Sequence, residues 1–522
     1  MTTLISTLAL TNLVYLILNR YAGNGFKDVR PGILVDGLAV VTASFIFLTL
    51  FHITARPVFS LLLSCIPAVL VFMVNRIKSS LFFEPLTFMD VFLVPQLFTH
   101  PRFYLPYIFP LSVAAPTLLF FSGLAALLIW EPALERTGAS VFLLVLSLSG
   151  VLLTIVLAWF GPQSLVSRLL QKYPVTLQAD EDIHTHGFMA GGFLQLLWHR
   201  FERKQPGSPS IPFDYSKPPS IIAWKSSKQD ASDKVLPHII LIQAESFFDL
   251  RKLHPQICPD MLENFDELAR FSSSGNLGVS SSGAYTMRTE FSVLTGMAID
   301  RLGTDGLNPY REASRRPVWS MARHLSGSGY APVLVHPFDT TFFKRHKVMP
   351  NLGFEKIVSE AHFTLEDRFG PYVSDMALGR YINEHLKKSD VPCFVFAVTI
   401  EAHGPWDANR LKALPPAPGP PLPPWAGPEL EVYVRHLKNT DRMLGFLAAE
   451  TAKLSRPVVI CLYGDHPGSI PRVYARTGYP GNFTPYIIWP ASREKAATRS
   501  QLLPEELGGV ILDQAGIPVD GL

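Results

Sequence analysis

Residues 457–466 read Pro457-Val-Val-Ile-Cys-Leu-Tyr-Gly-Asp-His466. The run is apolar from Val458 to Tyr463 and ends in a glycine that is followed by an acid and an imidazole. Near-continuous apolar runs of this length are typical of strands that are buried on both faces of a mostly parallel sheet. The stretch therefore predicts an interior strand with two candidate metal ligands, Asp465 and His466, at its carboxyl end.

Three further segments share this pattern. They are His238-Ile-Ile-Leu-Ile-Gln-Ala-Glu245, Ala331-Pro-Val-Leu-Val-His336 and Cys393-Phe-Val-Phe-Ala-Val-Thr-Ile400. Patterns with helical spacing lie between the predicted strands, at 259–272, 316–327, 373–388 and 429–454. Alternating strands and helices predict an α/β sandwich with a mostly parallel sheet, which we expect to span residues 236–522.

Polar side chains stand at or just after the ends of these predicted strands. Ligands bind outside the carboxyl ends of the strands in sheets of this kind, so we group these side chains as one candidate site. They are Glu245, His336, His403, Asp465 and His466. Two carboxylates and an imidazole, as in Glu245, Asp465 and His466, are suitable ligands for a divalent cation.

A hydroxyl group is a second component of the candidate site. Thr286 ends the loop Gly278-Val-Ser-Ser-Ser-Gly-Ala-Tyr-Thr286 and precedes Met-Arg-Thr-Glu-Phe, which is predicted to begin a helix. A threonine here is either an N-cap or a group at an anion-binding helix N-terminus, where a nearby metal would activate it. Thr289 and the neighbouring serines are rival nucleophiles by composition, and Arg345 offers a bidentate phosphate clamp.

The first third of the chain is strongly apolar. Each of five runs approaches the roughly 20 apolar residues that cross a bilayer, at 2–21, 33–54, 57–75, 108–130 and 141–160. We therefore predict a transmembrane domain over 1–160, and the lack of a basic n-region argues against a cleaved signal peptide. The segment 82–95 is interrupted by prolines and acids and is expected to be an interfacial piece or an amphipathic loop.

Two other segments are expected to be a connection between the membrane and sandwich domains and a surface insertion. Residues 161–235 are predicted to hold helices at 163–173 and 192–203 and then a linker from 205. The proline-rich stretch 414–425 is expected to be a surface insertion. The net charge of +3 implies no nucleic-acid partner, and the four cysteines show no zinc-like spacing.

Residues 236 to about 500 resemble the extracellular domain of lipoteichoic acid synthases and related phosphoglycerol transferases, in the alkaline phosphatase/sulfatase superfamily. Five spans before such a domain resemble that family as well. Its metal-binding Glu is matched by Glu245, and its threonine nucleophile before Glu-Phe is matched by Thr286. Its remaining motifs are matched by Phe343-Lys-Arg345, His403-Gly-Pro-Trp406 and Gly464-Asp465-His466.

The resemblance implies a mechanism and a location. Glu245, Thr286, Asp465 and His466 would hold a divalent metal, Mn²⁺ or Mg²⁺ with Zn²⁺ also possible. Thr286 would take a phosphoglycerol group from phosphatidylglycerol and pass it to a glycan or glycolipid acceptor. The side chains expected to bind substrate are Arg345, His403, Phe343, Trp406 and His336. The family also implies a bacterial inner-membrane protein with its catalytic domain on the periplasmic or extracellular side.

Some features depart from the family pattern and leave alternatives open. Arg288 stands where the family often has an acid, and Phe343 replaces the usual Trp. No formylglycine motif surrounds Thr286, so sulfatase activity is not expected. The alternatives are a phosphoethanolamine transferase, a phosphodiester hydrolase and a non-catalytic membrane assembly or glycan-binding protein, and the oligomeric state is not predicted. The external orientation also opposes the positive-inside tendency, because it places Arg20, Lys27, Arg30, Arg76, Lys78 and Arg102 outside.

Overall fold

The computed structural model describes residues 2–21, 33–101, 111–135, 140–203, 235–281, 283–412, 422–489 and 499–519, together with 211, 218, 219, 222, 224 and 414. The chain divides into two compact units, Met1–Ser208 and Pro209–Leu522. The predicted limits 1–160, 161–235 and 236–522 stay predictions. Most of the predicted linker at 205–235 and most of the insertion at 414–425 lie outside the described residues.

The first unit is helical in all of its described parts except the connections and a short 3₁₀ turn at Phe88–Leu93. Its helices are α1 (Thr2–Tyr21), α2 (Ile33–Thr54), α3 (Pro57–Phe82), α4 (Val94–Thr99), α5 (Leu111–Trp130), α6 (Ser140–Phe160), α7 (Gln163–Lys172), α8 (Ala179–His186) and α9 (Phe188–Glu202).

Four of these helices are long and apolar enough to cross a membrane, and they contain the windows Thr2–Arg20, Asp36–Thr54, Pro57–Phe82 and Ser140–Leu157. The fifth predicted span corresponds to α5, of which the apolar part Thr117–Trp130 is described with its side chains. Helix α3 continues to Phe82, beyond the predicted limit at 75. The chain is therefore a membrane protein.

Polar contacts mark the two ends of this helical unit. At one end, the side-chain oxygen of Asn19 on α1 accepts a hydrogen bond from the backbone N–H of Met189 on α9, at 2.8 Å. At the other end, the Glu131 carboxylate after α5 accepts the backbone N–H of Val58 at 2.7 Å. Helix α9 therefore begins at the end of this unit where α1 finishes. Of the basic residues that bear on the orientation, the structure does not describe Lys27, Arg30 and Arg102.

The second unit is an α/β sandwich. Its strands are β1 (His238–Ala244), β2 (Ser273–Gly278), β3 (Ala331–Val335), β4 (Lys356–Val358), β5 (Arg368–Phe369), β6 (Tyr372–Val373), β7 (Cys393–Val398), β8 (Val458–Gly464), β9 (Phe483–Trp489) and β10 (Arg499–Leu502). Its helices are α10 (Glu263–Ala269), α11 (Thr286–Thr295), α12 (Thr304–Leu307), α13 (Pro309–Ala313), α14 (Met321–Gly327), α15 (Arg345–Asn351), α16 (Asp375–Lys387), α17 (Gly427–Thr451), α18 (Pro471–Thr477) and α19 (Pro504–Ala515).

Eight strands form one sheet in the order β10-β2-β9-β8-β1-β7-β3-β4. The strands from β8 to β4 are parallel neighbours, whereas β9 runs antiparallel to both β8 and β2. Every residue of β1, β7 and β8 is buried, which explains their unbroken apolar sequences. The predicted fold class and the four predicted strands are confirmed.

Candidate active site

The candidate site begins where β1 and β8 end side by side. Ala244 on β1 pairs with Gly464 on β8, so Glu245 and Asp465 leave adjacent parallel strands at the same level. A side chain at position 464 would place its Cβ 2.0 Å from the carbonyl oxygen of Phe247. Glycine is therefore required for the end of β8 to approach the turn that follows β1.

Three predicted metal ligands meet at this edge of the sheet. One ligand atom from each of Glu245, Asp465 and His466 lies within 4.8 Å of the others, and all three residues are buried. The Nε2 atom of His466 is 3.8 Å from Oε1 of Glu245 and 3.4 Å from Oδ2 of Asp465. The structure thus brings together residues that are more than 200 positions apart in the chain.

A left-handed residue, Ser246, fixes the orientation of both carboxylates. Its φ of 53° is unusual for a residue other than glycine. Its backbone N–H donates to Oδ1 of Asp465 at 2.8 Å, and its hydroxyl donates to Oε1 of Glu245 at 2.8 Å. The strain at Ser246 is therefore offset by two hydrogen bonds that hold the candidate ligands.

The chemistry of this donor set fits a divalent cation. Oδ2 of Asp465 is buried and has no hydrogen-bond partner. Burial and the adjacent Glu245 carboxylate raise the pKa of Asp465 to about 6, because a second buried negative charge beside the first is unfavourable. The Nδ1–H of His466 donates to the carbonyl of Pro467 at 3.1 Å, which leaves the Nε2 lone pair directed at the carboxylates. A metal-ligating histidine is held in this way.

The candidate nucleophile Thr286 lies beside this cluster. It is the first residue of α11 and follows Tyr285, whose backbone is left-handed. Its Oγ1 atom is 3.5 Å from Nε2 of His466. The first-turn N–H groups of a helix favour a bound anion. The rival Thr289 is fully buried, and its hydroxyl donates to the carbonyl of Asp465 at 3.1 Å.

The predicted phosphate clamp, Arg345, lies in a buried network rather than on an open surface. Its exposure is 2 %, and its Nη2 and Nε atoms donate to the two Glu290 carboxylate oxygens at 2.6 and 3.3 Å. Tyr310 and Gln243 also donate to Glu290. Burial opposes the guanidinium charge, but Glu290 and also Glu245 raise the pKa of Arg345. A guanidinium has five N–H groups, so two remain after these contacts and the one to His336.

His336 belongs to the same network. Its Nδ1–H donates to the carbonyl of Val398 at 3.0 Å, and its Nε2 accepts from Nη1 of Arg345 at 3.3 Å. Burial and the Arg345 charge hold the pKa of His336 well below its usual range. The imidazole is therefore neutral and orients Arg345, and the predicted contact of His336 with substrate stays a prediction.

His403 follows β7 and is half-buried. Its Nδ1 lies 2.8 Å from the carbonyl oxygen of Gly404. Because a carbonyl oxygen only accepts hydrogen bonds, Nδ1 must carry the proton. Burial lowers the pKa of His403 to about 4, so the neutral form carries its proton on Nδ1. Arg410 donates to the backbone carbonyl of His403 at 3.0 Å, and its guanidinium lies 5.4 Å from the centre of the Tyr372 ring.

The two predicted aromatic contacts differ in position. Phe343 is half-buried, has a left-handed backbone (φ 51°), and its ring centre lies 5.6 Å from the Arg345 guanidinium carbon. Trp406 is 6 % exposed, donates from Nε1 to the carbonyl of Ala402 at 3.0 Å, and packs on Tyr433 with 4.4 Å between ring centres. Trp406 therefore supports the His403 loop from inside, and its predicted contact with substrate stays a prediction.

A second buried polar cluster lies behind the His403 loop. Oε1 of Glu401 accepts from Asn439 at 2.9 Å and is 3.0 Å from Nδ1 of His436. Oε2 of Glu401 accepts the backbone N–H of Asp375 at 2.7 Å. Burial raises the pKa of Glu401 to about 8, and burial together with Glu401 raises the pKa of Asp375 well above its usual range. The sequence analysis did not select these residues.

Comparison with known proteins identifies the family. The sulfatase family profile matches residues 237–517. The chain belongs to the sulfatase family. It is 27 % identical over 504 residues to the capsular polysaccharide biosynthesis protein RkpI of Rhizobium meliloti (strain 1021), across 94 % of this chain and 88 % of the relative. A Rhizobium meliloti (strain 1021) protein named for the modification of cyclic beta-1,2-glucan is 29 % identical over 297 residues, 54 % of this chain and 46 % of its own length.

A solved structure extends the likeness to both units of this sulfatase-family chain. The integral membrane lipooligosaccharide phosphoethanolamine transferase A (EptA) of Neisseria meningitidis matches 98 % of this chain and 95 % of its own, with a TM-score of 0.57 and 15 % identity. That likeness shows the fold. The predicted sulfatase superfamily is confirmed by the family profile, and the protein is a membrane enzyme of the sulfatase family.

Sequence reasoning missed two residues that organise this sulfatase-family site, Glu290 and Ser246. Glu290 lies within the nucleophile motif, but its sequence position alone predicts no role for it. A signal was available, because an acid among apolar neighbours at the start of a helix needs a buried cation or proton. Ser246 carried no such signal, since a left-handed backbone at a serine cannot be predicted from its side chain.

Proposed function

We propose that this enzyme transfers a phosphoglycerol group from phosphatidylglycerol to an envelope glycan through a covalent intermediate on Thr286. One observation carries the proposal. A hydroxyl at the N-terminus of α11 lies 3.5 Å from His466 Nε2, beside two buried carboxylates that fit a cation. A nucleophile, an anion-binding helix end and a metal-ligand set in one place suit phosphoryl transfer.

Glu245, Asp465 and His466 would hold the metal, with the Thr286 hydroxyl as a further ligand. We expect Mn²⁺ or Mg²⁺. When bound, such an ion acts as a Lewis acid that lowers the pKa of the hydroxyl and neutralises phosphate charge.

In the first step, Oγ1 of Thr286 attacks the donor phosphorus. A P–O bond to threonine forms, and the P–O bond to diacylglycerol breaks. The departing oxygen gains a proton as the threonine loses one, so charge is conserved. The two unused N–H groups of Arg345 are suited to binding the phosphate oxygens, because Glu290 and His336 hold the guanidinium in a fixed orientation.

In the second step, an acceptor hydroxyl attacks the same phosphorus and the threonine oxygen leaves. The Nδ1–H of His403 donates to Gly404, so its Nε2 lone pair is suited to orient the acceptor hydroxyl and to relay its proton. The proton passes to the Thr286 oxygen as that oxygen leaves, which completes the cycle. With a pKa of about 4, His403 is a weak base near neutral pH, so the relay has to be concerted with the attack on phosphorus.

The glycerol head group is proposed from the resemblance of Thr286-Met-Arg-Thr-Glu-Phe, Phe343-Lys-Arg345 and His403-Gly-Pro-Trp406 to the phosphoglycerol transferases. Phosphatidylethanolamine is the alternative donor.

The names of the relatives support a glycan acceptor. RkpI is named for capsular polysaccharide biosynthesis, and the second relative for glucan modification. A lipid donor suits an enzyme that carries its own membrane helices. We therefore place the enzyme in a bacterial inner membrane, with the second unit on the periplasmic side, where envelope glycans are modified.

The experiment uses purified full-length protein with Mn²⁺ and either glycerol-labelled phosphatidylglycerol or ethanolamine-labelled phosphatidylethanolamine. We expect label from phosphatidylglycerol on Thr286 by peptide mass spectrometry, and its passage to added glycan. Thr286→Ala removes the adduct, whereas Thr295→Ala, at the far end of α11, retains it. Label from phosphatidylethanolamine alone identifies the other transferase. Free glycerol phosphate with no labelled glycan identifies a hydrolase, and no adduct on Thr286 overturns the proposal.

A further inference from the structure

We infer that Arg288 is a positioning residue for the candidate nucleophile. It holds the backbone of Tyr285 in the left-handed conformation that begins α11 with the Thr286 hydroxyl directed at the candidate metal ligands. The inference rests on the proposed function, because it concerns the threonine that would attack phosphorus.

The chain enters α11 through a residue whose backbone is strained. Tyr285 directly precedes Thr286 and has a φ of 59° and a ψ of 38°. This left-handed conformation is uncommon for residues other than glycine, because Cβ approaches the following carbonyl oxygen, and asparagine adopts it more readily than tyrosine does. A tyrosine keeps such a conformation only where neighbouring groups hold it there.

The side chain of Arg288 contacts Tyr285 from three positions further along α11. The guanidinium carbon of Arg288 lies 4.2 Å from the centre of the Tyr285 ring, which is the range of a cation–π contact. Its Nε donates to the carbonyl of Leu307, the last residue of α12, at 3.1 Å, and this bond fixes the guanidinium above the ring. The backbone N–H of Arg288 also donates to the Tyr285 carbonyl, at 2.8 Å. Arg288 therefore holds both the ring and the carbonyl of Tyr285.

Arg288 is placed to act through Tyr285 and not by contact with substrate. Its exposure is 6 %. At 3.6 residues per turn, positions 286 and 288 lie about 200° apart around the helix, so their side chains leave α11 on opposite sides. The Thr286 side faces His466, with 3.5 Å between Oγ1 and Nε2. Helix stability does not explain Arg288, because a cation in the first turn opposes the positive end of the helix dipole.

The turn at Tyr285 lies between Arg288 and the nucleophile in its effect. On the other side of the first turn, the Thr289 hydroxyl donates to the carbonyl of Asp465 at 3.1 Å and fixes α11 against the end of β8. If Tyr285 relaxed to an ordinary conformation, the adjoining peptide and the Thr286 hydroxyl would be redirected. A misplacement of about 1 Å at a reacting group can cost about 10²-fold in rate.

The first test is a double-mutant cycle that measures the rate of Thr286 adduct formation. It uses full-length protein with Mn²⁺ and glycerol-labelled phosphatidylglycerol. Arg288→Ala should lower the rate at saturating donor about tenfold or more and leave the donor KM unchanged. Tyr285→Asn adopts the left-handed conformation more readily, so in this background Arg288→Ala should cost no more than about twofold. Tyr285→Val, whose β-branched side chain disfavours the conformation, should lose as much as Arg288→Ala.

The second test does not need the reaction. Hydrogen exchange of the segment 285–289 should be severalfold faster in Arg288→Ala than in the wild type, and the added Tyr285→Asn change should slow it again. The control Arg323→Ala removes another arginine of this unit, which donates to the carbonyls of Val318 and Asn351. It should lower the unfolding midpoint and change neither the adduct rate nor the exchange of this segment.

Three results would overturn the inference. They are an equal loss from Arg288→Ala in both Tyr285 backgrounds, an increase in the donor KM, and unchanged exchange of the segment 285–289 in Arg288→Ala. If the wild type forms no adduct but exchange follows the expected pattern, the proposed function fails, whereas the hold of Arg288 on Tyr285 is supported.

Discussion

Nη2 of Arg345 lies 2.6 Å from Oε2 of Glu290, and both side chains are almost completely withdrawn from solvent. The pair joins the helix that begins with the candidate nucleophile to the helix that begins with Arg345. The proposed attack by Thr286 and the proposed phosphate binding by Arg345 would therefore both depend on one buried contact.

Removing the negative partner of this pair should damage the fold. Glu290→Gln leaves the Arg345 charge buried without compensation, and loss of one partner of a buried pair costs about 3–5 kcal/mol. We expect a clear fall in the thermal unfolding midpoint and loss of the Thr286 adduct. The control Glu431→Gln breaks a partly exposed pair with Arg435 and should cost less than about 1 kcal/mol. Equal midpoints for the two variants would contradict the assigned role of the pair.

Asp465→Asn should have opposite effects with and without metal. In chelator-treated protein, the substitution relieves repulsion between two buried carboxylates. We therefore expect the free energy of unfolding of the variant to exceed that of the wild type by about 1–3 kcal/mol, with a higher unfolding midpoint. Added Mn²⁺ should then stabilise the wild type and leave the variant unchanged. Thermal unfolding with and without Mn²⁺ measures both effects. A variant that is less stable than the wild type in chelator would show that the cluster needs no cation.

The buried acid Glu401 should make stability depend on pH. Its pKa is raised from 4.5 to about 8, so between these values the folded protein holds a proton that the unfolded chain releases. Its contribution is complete below about pH 4.5 and is lost as pH rises through 8, with a slope of up to about 1.4 kcal/mol per pH unit. Glu401→Gln should flatten the curve of unfolding midpoint against pH in this window. An unchanged slope would show that Glu401 is ionised in the fold.

Trp406→Phe should distinguish a role of Trp406 in supporting the His403 loop from a role in binding substrate. The variant keeps the ring on Tyr433 and loses the hydrogen bond to the Ala402 carbonyl, worth about 1 kcal/mol. We expect a slightly lower unfolding midpoint, a modest fall in kcat and an unchanged KM for the lipid donor. Phe343→Ala, beside Arg345, should instead raise the donor KM. If Trp406→Phe raises the donor KM as much as Phe343→Ala does, the predicted contact between Trp406 and substrate would be supported.

The sequence predicted the buried strands, because each has a continuous apolar pattern. It missed the features that depend on contacts between distant segments. β1 and β8 were recognised because burial on both faces demands apolar residues, and their ends marked the ligands. β2, with the sequence Ser-Ser-Gly-Asn-Leu-Gly, has no such run and is held by pairing with β9 and β10. Arg345 was predicted to bind phosphate, but its partner Glu290, 55 positions earlier, is fixed by tertiary packing that no local pattern records.

Because β1 pairs with β8, the candidate site can form only after the ribosome has synthesised β8. Gln243 and Tyr463, which are hydrogen-bonded across these strands, are 220 positions apart. A ribosome makes the membrane helices, β1 and the α11 threonine long before it reaches Asp465 and His466. A chain released after α17 would contain its membrane helices and Thr286 but would lack Asp465 and His466. On the proposed function, activity can therefore appear only after synthesis has passed His466.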